Sequence, residues 1–295
     1  MISKDLLARV RKIEIRTRRM VDEITAGAYH SVFKGAGIEF DEVREYTPED
    51  DVKDIDWNVT ARMGHPYIKK YVEERELNVM LLVDISASGC FGSGDKTKNE
   101  VAAEIASLLA FSAIRNHDKV GLLLFTDKTE LYLPPKSGRL HGLRLIRELL
   151  ARKPEGKGTD ISGALEKIVK ILRKKAVIFL ISDFIDDNSS YEKLLTVANK
   201  RHDIIAVRIL DPKELELPKM PGISIADAEN GSFGYFSGSR KAAAQFTEKV
   251  KTLHAQNREI CKKAKVDLID IRGDEDLIKP LMTFFRQREK LVRRV

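Results

Sequence analysis

Cysteine is nearly missing from this chain of 295 residues: only Cys90 and Cys261 occur, far apart and outside any CxxC motif. That excludes a disulfide-stapled scaffold and a cysteine-rich zinc site, and it points to a reduced, intracellular setting. Long apolar runs are missing too. No stretch approaches the roughly 20 residues a membrane helix needs, and the N-terminus is charged from Lys4 onward with no apolar signal core. A cytoplasmic protein is therefore expected, with any membrane association peripheral. His30, His65, His117, His141, His202 and His254 are scattered and form no HExxH, and no GxSxG elbow is present. Zinc-protease and serine-hydrolase chemistry are thereby excluded. Internal repeats and low-complexity segments are also lacking.

The chain does have enough apolar residues, 43%, to bury a substantial core, as one large domain with additions or as two small domains. Its net charge of +7 suggests ordinary solubility or an acidic partner surface more than a dedicated nucleic-acid binder.

Residues 1–30 read as a basic amphipathic helix, Leu6 to Ile24, followed by a glycine-containing loop. Residues 31–76 read as a small extension with strands at Ile38–Tyr46 and Tyr67–Glu73 and a short helix around Asp54–Arg62. From residue 77 to 295 strands and helices alternate. The apolar strands are Val79–Val83, Val120–Phe125, Ala176–Ile181, Ile204–Ile209 and Val266–Ile271. The intervening helices are Asn99–Ile114, Leu140–Leu150, Ile161–Leu172, Tyr191–Ala198 and Arg240–Lys263, with a last one from about Leu277 to Val292. Near-continuous apolar strands alternating with helices imply an α/β fold: a doubly wound, mostly parallel sheet covered on both faces. Glu130–Leu133 reads as a short antiparallel edge strand. Ile223–Ala226 and Phe233–Phe236 flank Asn230-Gly231, a favoured turn pair, and imply a β-hairpin inserted at about 215–238.

The chemistry concentrates at strand ends. Asp84-Ile85-Ser86-Ala87-Ser88 follows the run Val79–Val83, so a carboxylate and two hydroxyls leave the sheet at its C-terminal edge, where open α/β sheets place ligands. Gly158-Thr159-Asp160 precedes a helix that Asp160 or Ser162 can cap. Ser182-Asp183 follows the strand Ala176–Ile181. Asp84, Ser86, Ser88, Thr159 and Asp183 are all hard oxygen donors, suited to Mg²⁺ or Mn²⁺. The three hydroxyls would bind as neutral ligands. Asp84 and Asp183 would bind directly or hold coordinated water. An ion so held keeps uncompensated charge and favours a carboxylate from a partner. Asp186 and Asp187, nearby, are assigned to capping and solvation.

This pattern, Asp84-x-Ser86-x-Ser88 with Thr159 and Asp183, resembles the metal-ion-dependent adhesion site of von Willebrand factor A domains, without departure at any of the five positions. Upstream, Glu42-x-Arg44-x-Tyr46-x-x-x-Asp50-Asp51-x-x-x-Ile55-Asp56-Trp57-x-x-x-Ala61-Arg62 resembles the signature of the bacterial "domain of unknown function 58" family. The resemblance implies a von Willebrand A-like, Rossmann-type domain with an N-terminal extension. It also implies association with a MoxR-type AAA+ ATPase or its client in chaperone-like assembly. A non-enzymatic interaction module is the function expected.

Other readings attach to the same residues. A metal-dependent phosphatase or NTPase would use the Asp84/Asp183 edge, but Ser86 stands where a dehalogenase-type phosphatase needs its second Asp. Gly89–Thr97 nearly spells a phosphate loop, yet Asp95 interrupts the Gly-Lys step. A basic membrane- or nucleic-acid-associated scaffold would use Arg286–Arg294, where a solvated helix end is the simpler account. Cys90, near the site, is incidental. Asp56-Trp57 with Arg62 reads either as a buried Trp anchor with Arg62 paired to Asp54 or Asp56, or as a partner contact surface.

Overall fold

The computed structural model describes residues 38–73, 76–186, 191–216, 222–226, 229 and 231–292. The expected N-terminal helix Leu6–Ile24, the loop Thr25–Gly37, Asp187 and Asn230 lie outside the described residues. The chain divides into two compact units, one of them Phe33–Leu77 and the other including everything from Asn78 onward.

In the small unit, β1 (Ile38–Glu45) pairs antiparallel with β2 (Tyr67–Glu73), with a bulge between Phe40 and Glu42. Between them lie a 3₁₀ turn (Val52–Asp54) and a helix, α1 (Trp57–Met63), in place of the single helix expected over 54–62. Asp56 is the N-cap of α1, accepting from Asn58 N at 2.9 Å and Val59 N at 3.3 Å. The Arg44 guanidinium grips Asp50 in a two-pronged pair at 3.0 and 2.6 Å. Together with the Thr47 N–H and hydroxyl, it holds the Asp50 carboxyl down to about 2. Two expectations are corrected here. Trp57 is no buried anchor, being 67% exposed, because it sits at the first position of a one-sided two-turn helix. Asp56 pairs with Lys69 at 3.3 Å rather than with Arg62.

In the large unit, β3 (Asn78–Asp84), β4 (Lys119–Phe125), β6 (Val177–Ser182), β7 (Asp203–Leu210) and β10 (Asp267–Arg272) run parallel, and β5 (Thr129–Lys136) is the antiparallel edge. Their order is β10-β7-β6-β3-β4-β5. The interleaved helices are α2 (Lys98–Arg115), α3 (Arg139–Ala151), α4 (Ile161–Ile171), α5 (Tyr191–Arg201), a short α6 (Pro212–Leu215), α7 (Arg240–Lys263) and α8 (Ile278–Val292). One sheet face contributes Met80, Leu82, Leu123, Ile178 and Leu180 to a core shared with Ile161, Leu165 and Ile168 of α4 and Leu195 of α5. Helix α2 lies over β3, β4, β6 and β7, and its Ala102, Ala106 and Ala110 are buried. Both faces being covered explains why β3 and β6 read as unbroken apolar runs.

The chain winds outward in both directions from β3, through β4 and β5 on one side and β6, β7 and β10 on the other. The reversal therefore falls between β3 and β6, and it brings the ends of these strands, Asp84 and Ser182-Asp183, side by side.

The inserted hairpin pairs β8 (Ile223–Ala226) with β9 (Phe233–Phe236) from Ile223↔Phe236 to Ala226↔Phe233. Both strands have the bounds expected from the sequence. At the other end of the fold, Arg288 of α8 bonds Asp203 at 2.6 Å and stacks on Phe284, so this part of the basic C-terminal stretch serves internal packing.

A Cβ at Gly121 in β4 would lie 2.6 Å from Met80 Sδ and 2.9 Å from the Leu133 carbonyl of the edge strand. Gly121→Ala should therefore cost about 1–3 kcal/mol through strand displacement, read as a lower denaturant midpoint with an unchanged slope.

Candidate metal centre

Asp84 is held at the end of β3 by three groups. Its Oδ1 accepts the Ser86 N–H at 2.9 Å, its Oδ2 accepts the Ser182 hydroxyl at 2.7 Å, and the Thr159 hydroxyl approaches Oδ2 at 3.5 Å. The Asx turn onto Ser86 bends the chain so that Ser86 Oγ and Ser88 Oγ come within 3.0 Å of one another. Thr159 arrives from the α3–α4 loop, which is fastened to the sheet edge by backbone bonds. Ala87 N donates to the Lys157 carbonyl at 2.9 Å and Asp160 N to the Thr126 carbonyl at 3.0 Å. Buried Glu130 takes the N–H groups of Glu155 and Gly156 at 2.9 and 2.8 Å and steadies the same loop. Asp160 caps α4 through the Gly163 N–H at 2.8 Å, as its position suggested.

Asp183 joins the group from the β6 end, but its oxygens are engaged. Oδ1 accepts the Ile185 N–H at 3.1 Å, and Oδ2 lies 2.7 Å from the Lys98 ammonium. Lys98, at the first position of α2 and 4% exposed, also donates to both oxygens of Glu214 at 2.7 and 2.9 Å. Burial alone would lower the Lys98 pKa, yet the charges of Asp183 and Glu214 outweigh it and raise the value. Lys98, Glu214 and Ser182 are the members that sequence reasoning missed. Ser182 was visible as the neighbour of Asp183. Lys98 and Glu214 bear no motif and meet only because α6 folds back against the start of α2.

The loop after Asp183 is strained and clamped. Phe184 has φ 58°, its side chain is buried, its N–H bonds Ser182 Oγ at 2.9 Å and its carbonyl accepts from Asn257 Nδ2 at 3.0 Å. Asn257 is fixed in turn by the Tyr191 hydroxyl at 3.0 Å. Gly89 permits the close approach of α2, since a Cβ there would stand 2.0 Å from Asn99 Oδ1. The phosphate-loop reading fails on geometry: Lys96 is bonded to Glu104, and Thr97 is spent as the N-cap of α2 in a capping box with Glu100.

Asp84, Ser86, Ser88, Ser182, Asp183 and Lys98 line a cavity of about 10 Å³. Among the described residues no basic side chain pairs with Asp84, and no cluster of three or more His, Cys, Asp or Glu is arranged to hold a metal. The donor set is instead hydroxyl-rich with carboxylate support, which fits a hard cation rather than zinc or copper. Burial first, and the Asp183 charge second, push the Asp84 carboxyl up to about 7 against the pull of the Ser182 and Ser86 bonds. A divalent ion would relieve that cost.

Sheet order and the covered faces define a Rossmann-type, von Willebrand factor A-like α/β fold. The chain belongs to the family described as protein of unknown function DUF58, whose model matches residues 42–258. It is 28% identical over 287 residues to an uncharacterized protein of Mycobacterium tuberculosis, covering 97% of this chain and 90% of that one. An aerotolerance-related membrane protein from Bacteroides fragilis shares the fold at TM-score 0.52 and 16% identity, over 73% of this chain and 99% of that one. The SpRpn10 VWA domain aligns at TM-score 0.42 and 15% identity, over 71% and 95% of the two chains. The cytoplasmic location expected from the sequence is corrected by the Bacteroides fragilis likeness: a protein described as a membrane protein carries this fold. Among the described residues no helix is long and apolar enough to cross a membrane.

The raised Asp84 pKa means the folded state retains a proton that the unfolded chain releases. Metal-free protein should lose stability as pH rises from about 4 through about 7. Thermal melts in EDTA should show this decline, Asp84→Asn should flatten it, and added Mg²⁺ should raise the melting temperature more at pH 8 than at pH 5, in the parent protein alone.

Proposed function

We propose that this protein is a metal-dependent protein-interaction module that captures an acidic side chain of its partner. The observation behind the reading is the meeting of Asp84, Ser86, Ser88 and Thr159, from two loops of one sheet edge, where Asp84 has no basic partner among the described residues. Ser86, Ser88 and Thr159 would hold the ion as neutral ligands, and Asp84 would bind it or orient its water. Asp183, already bonded to Lys98, would act on the outer shell. Mg²⁺, or Mn²⁺ in its place, would supply an under-neutralised positive site with a position open to a carboxylate.

Ser86 stands two residues after Asp84, where a dehalogenase-type phosphatase needs its general acid, so in this reading these residues position and bind rather than turn over a phosphoester. The partner inferred from the family resemblance is a MoxR-type AAA+ ATPase or its client, in chaperone-like assembly.

A pull-down with the purified MoxR-type ATPase of the same cells tests this. Parent protein should retain it with Mg²⁺ and release it in EDTA, and Ser86→Ala should fail in both. Equal retention in all four samples sinks metal-mediated capture. Hydrolysis of a generic phosphoester or ATP that vanishes in Asp84→Ala would favour an enzyme instead.

A further inference from the structure

The inserted hairpin ends at the candidate centre. Glu229, in the loop joining β8 and β9, places Oε1 3.1 Å from Thr159 Oγ1. Its Oε2 lies 3.7 Å from the point where a Cβ of Gly158 would stand, so the carboxylate rests directly over the Gly158-Thr159 loop. The same Thr159 hydroxyl is 3.5 Å from Asp84 Oδ2. A hydroxyl owns one proton and can donate to only one of these carboxylates at a time. Two carboxylates from distant parts of the chain therefore converge on one donor, the Thr159 hydroxyl. An acidic side chain arriving from a partner would meet the same hydroxyl.

We propose that Glu229 is the resident carboxylate of this centre: it holds the place an incoming Asp or Glu must take, and the hairpin has to withdraw before a partner binds. The inference rests on the metal reading above and deepens it by naming what competes for the site.

The hairpin suits withdrawal. Strands β8 and β9, four residues each, pair with one another in a sheet of their own rather than joining the six-stranded sheet. A two-stranded ribbon by itself is marginal in water. On β9, Phe236 is buried, whereas Phe233 and Tyr235 are 83% and 75% exposed, so few β9 side chains oppose movement. A partner able to cover those two rings would recover apolar burial as Glu229 leaves, which suits an acidic segment flanked by apolar residues.

Mn²⁺ serves as the probe, with binding followed by electron paramagnetic resonance and bound-ion hydration by water proton relaxation. The parent protein should bind Mn²⁺ and Ser86→Ala should lose it. Glu229→Gln and Glu229→Ala should still bind, about tenfold more weakly, with more exchanging water on the ion and tighter association of acetate as a model carboxylate. Circular-dichroism melts of both variants control for folding. If both Glu229 variants match the parent in Mn²⁺ affinity, hydration and acetate binding while Ser86→Ala still loses the ion, the role of Glu229 is wrong and the metal reading stands. Absence of Mn²⁺ binding in the parent protein overturns both.

Discussion

The structure turns on one buried carboxylate. Asp84 sits where the winding of the sheet reverses, between β3 and β6, 6% exposed and beside a second acid. Hydrophobic burial of both sheet faces forces the strands together, and their C-terminal ends have nowhere to go but this crevice. A charge there is costly unless it is met by donors or cations. The Ser86 N–H, the Ser182 hydroxyl and the Thr159 hydroxyl supply donors, and nothing described supplies the cation. Everything else at the sheet edge follows from how that deficit is managed.

The neighbouring acid solves the same problem differently. Asp183 is neutralised by Lys98, and the remaining N–H groups of that ammonium donate to Glu214 on α6. Breaking such a buried set would strand a charge, so it reads as scaffold. The two aspartates of one motif thus stand in different surroundings: Asp183 is tied to Lys98, and Asp84 has no basic partner among the described residues. The strained Phe184 and its clamp by Asn257 and Tyr191 fit the same picture, because strain persists only where the surroundings over-determine it.

The small unit gives a physical account of the family's upstream signature. Arg44 and Asp50 lock the loop after β1, Asp56 caps α1, and the Trp57 ring is left facing solvent beside that cap.

Strand and helix identities in the large unit were legible in the sequence because periodicity and apolar runs report burial directly, as in Val79–Val83 and Ile161–Ile171. The capping role of Asp160 was legible as well, since it is local. Three things were decided only by the tertiary structure: the pairing of Lys98 with Asp183 and Glu214, the exposure of Trp57, and the arrival of Glu229 at Thr159. Each depends on which residues distant in sequence are brought within a few ångströms. No local pattern encodes that distance; it is fixed by how helices and insertions pack around a sheet whose order the chain reaches only when folded.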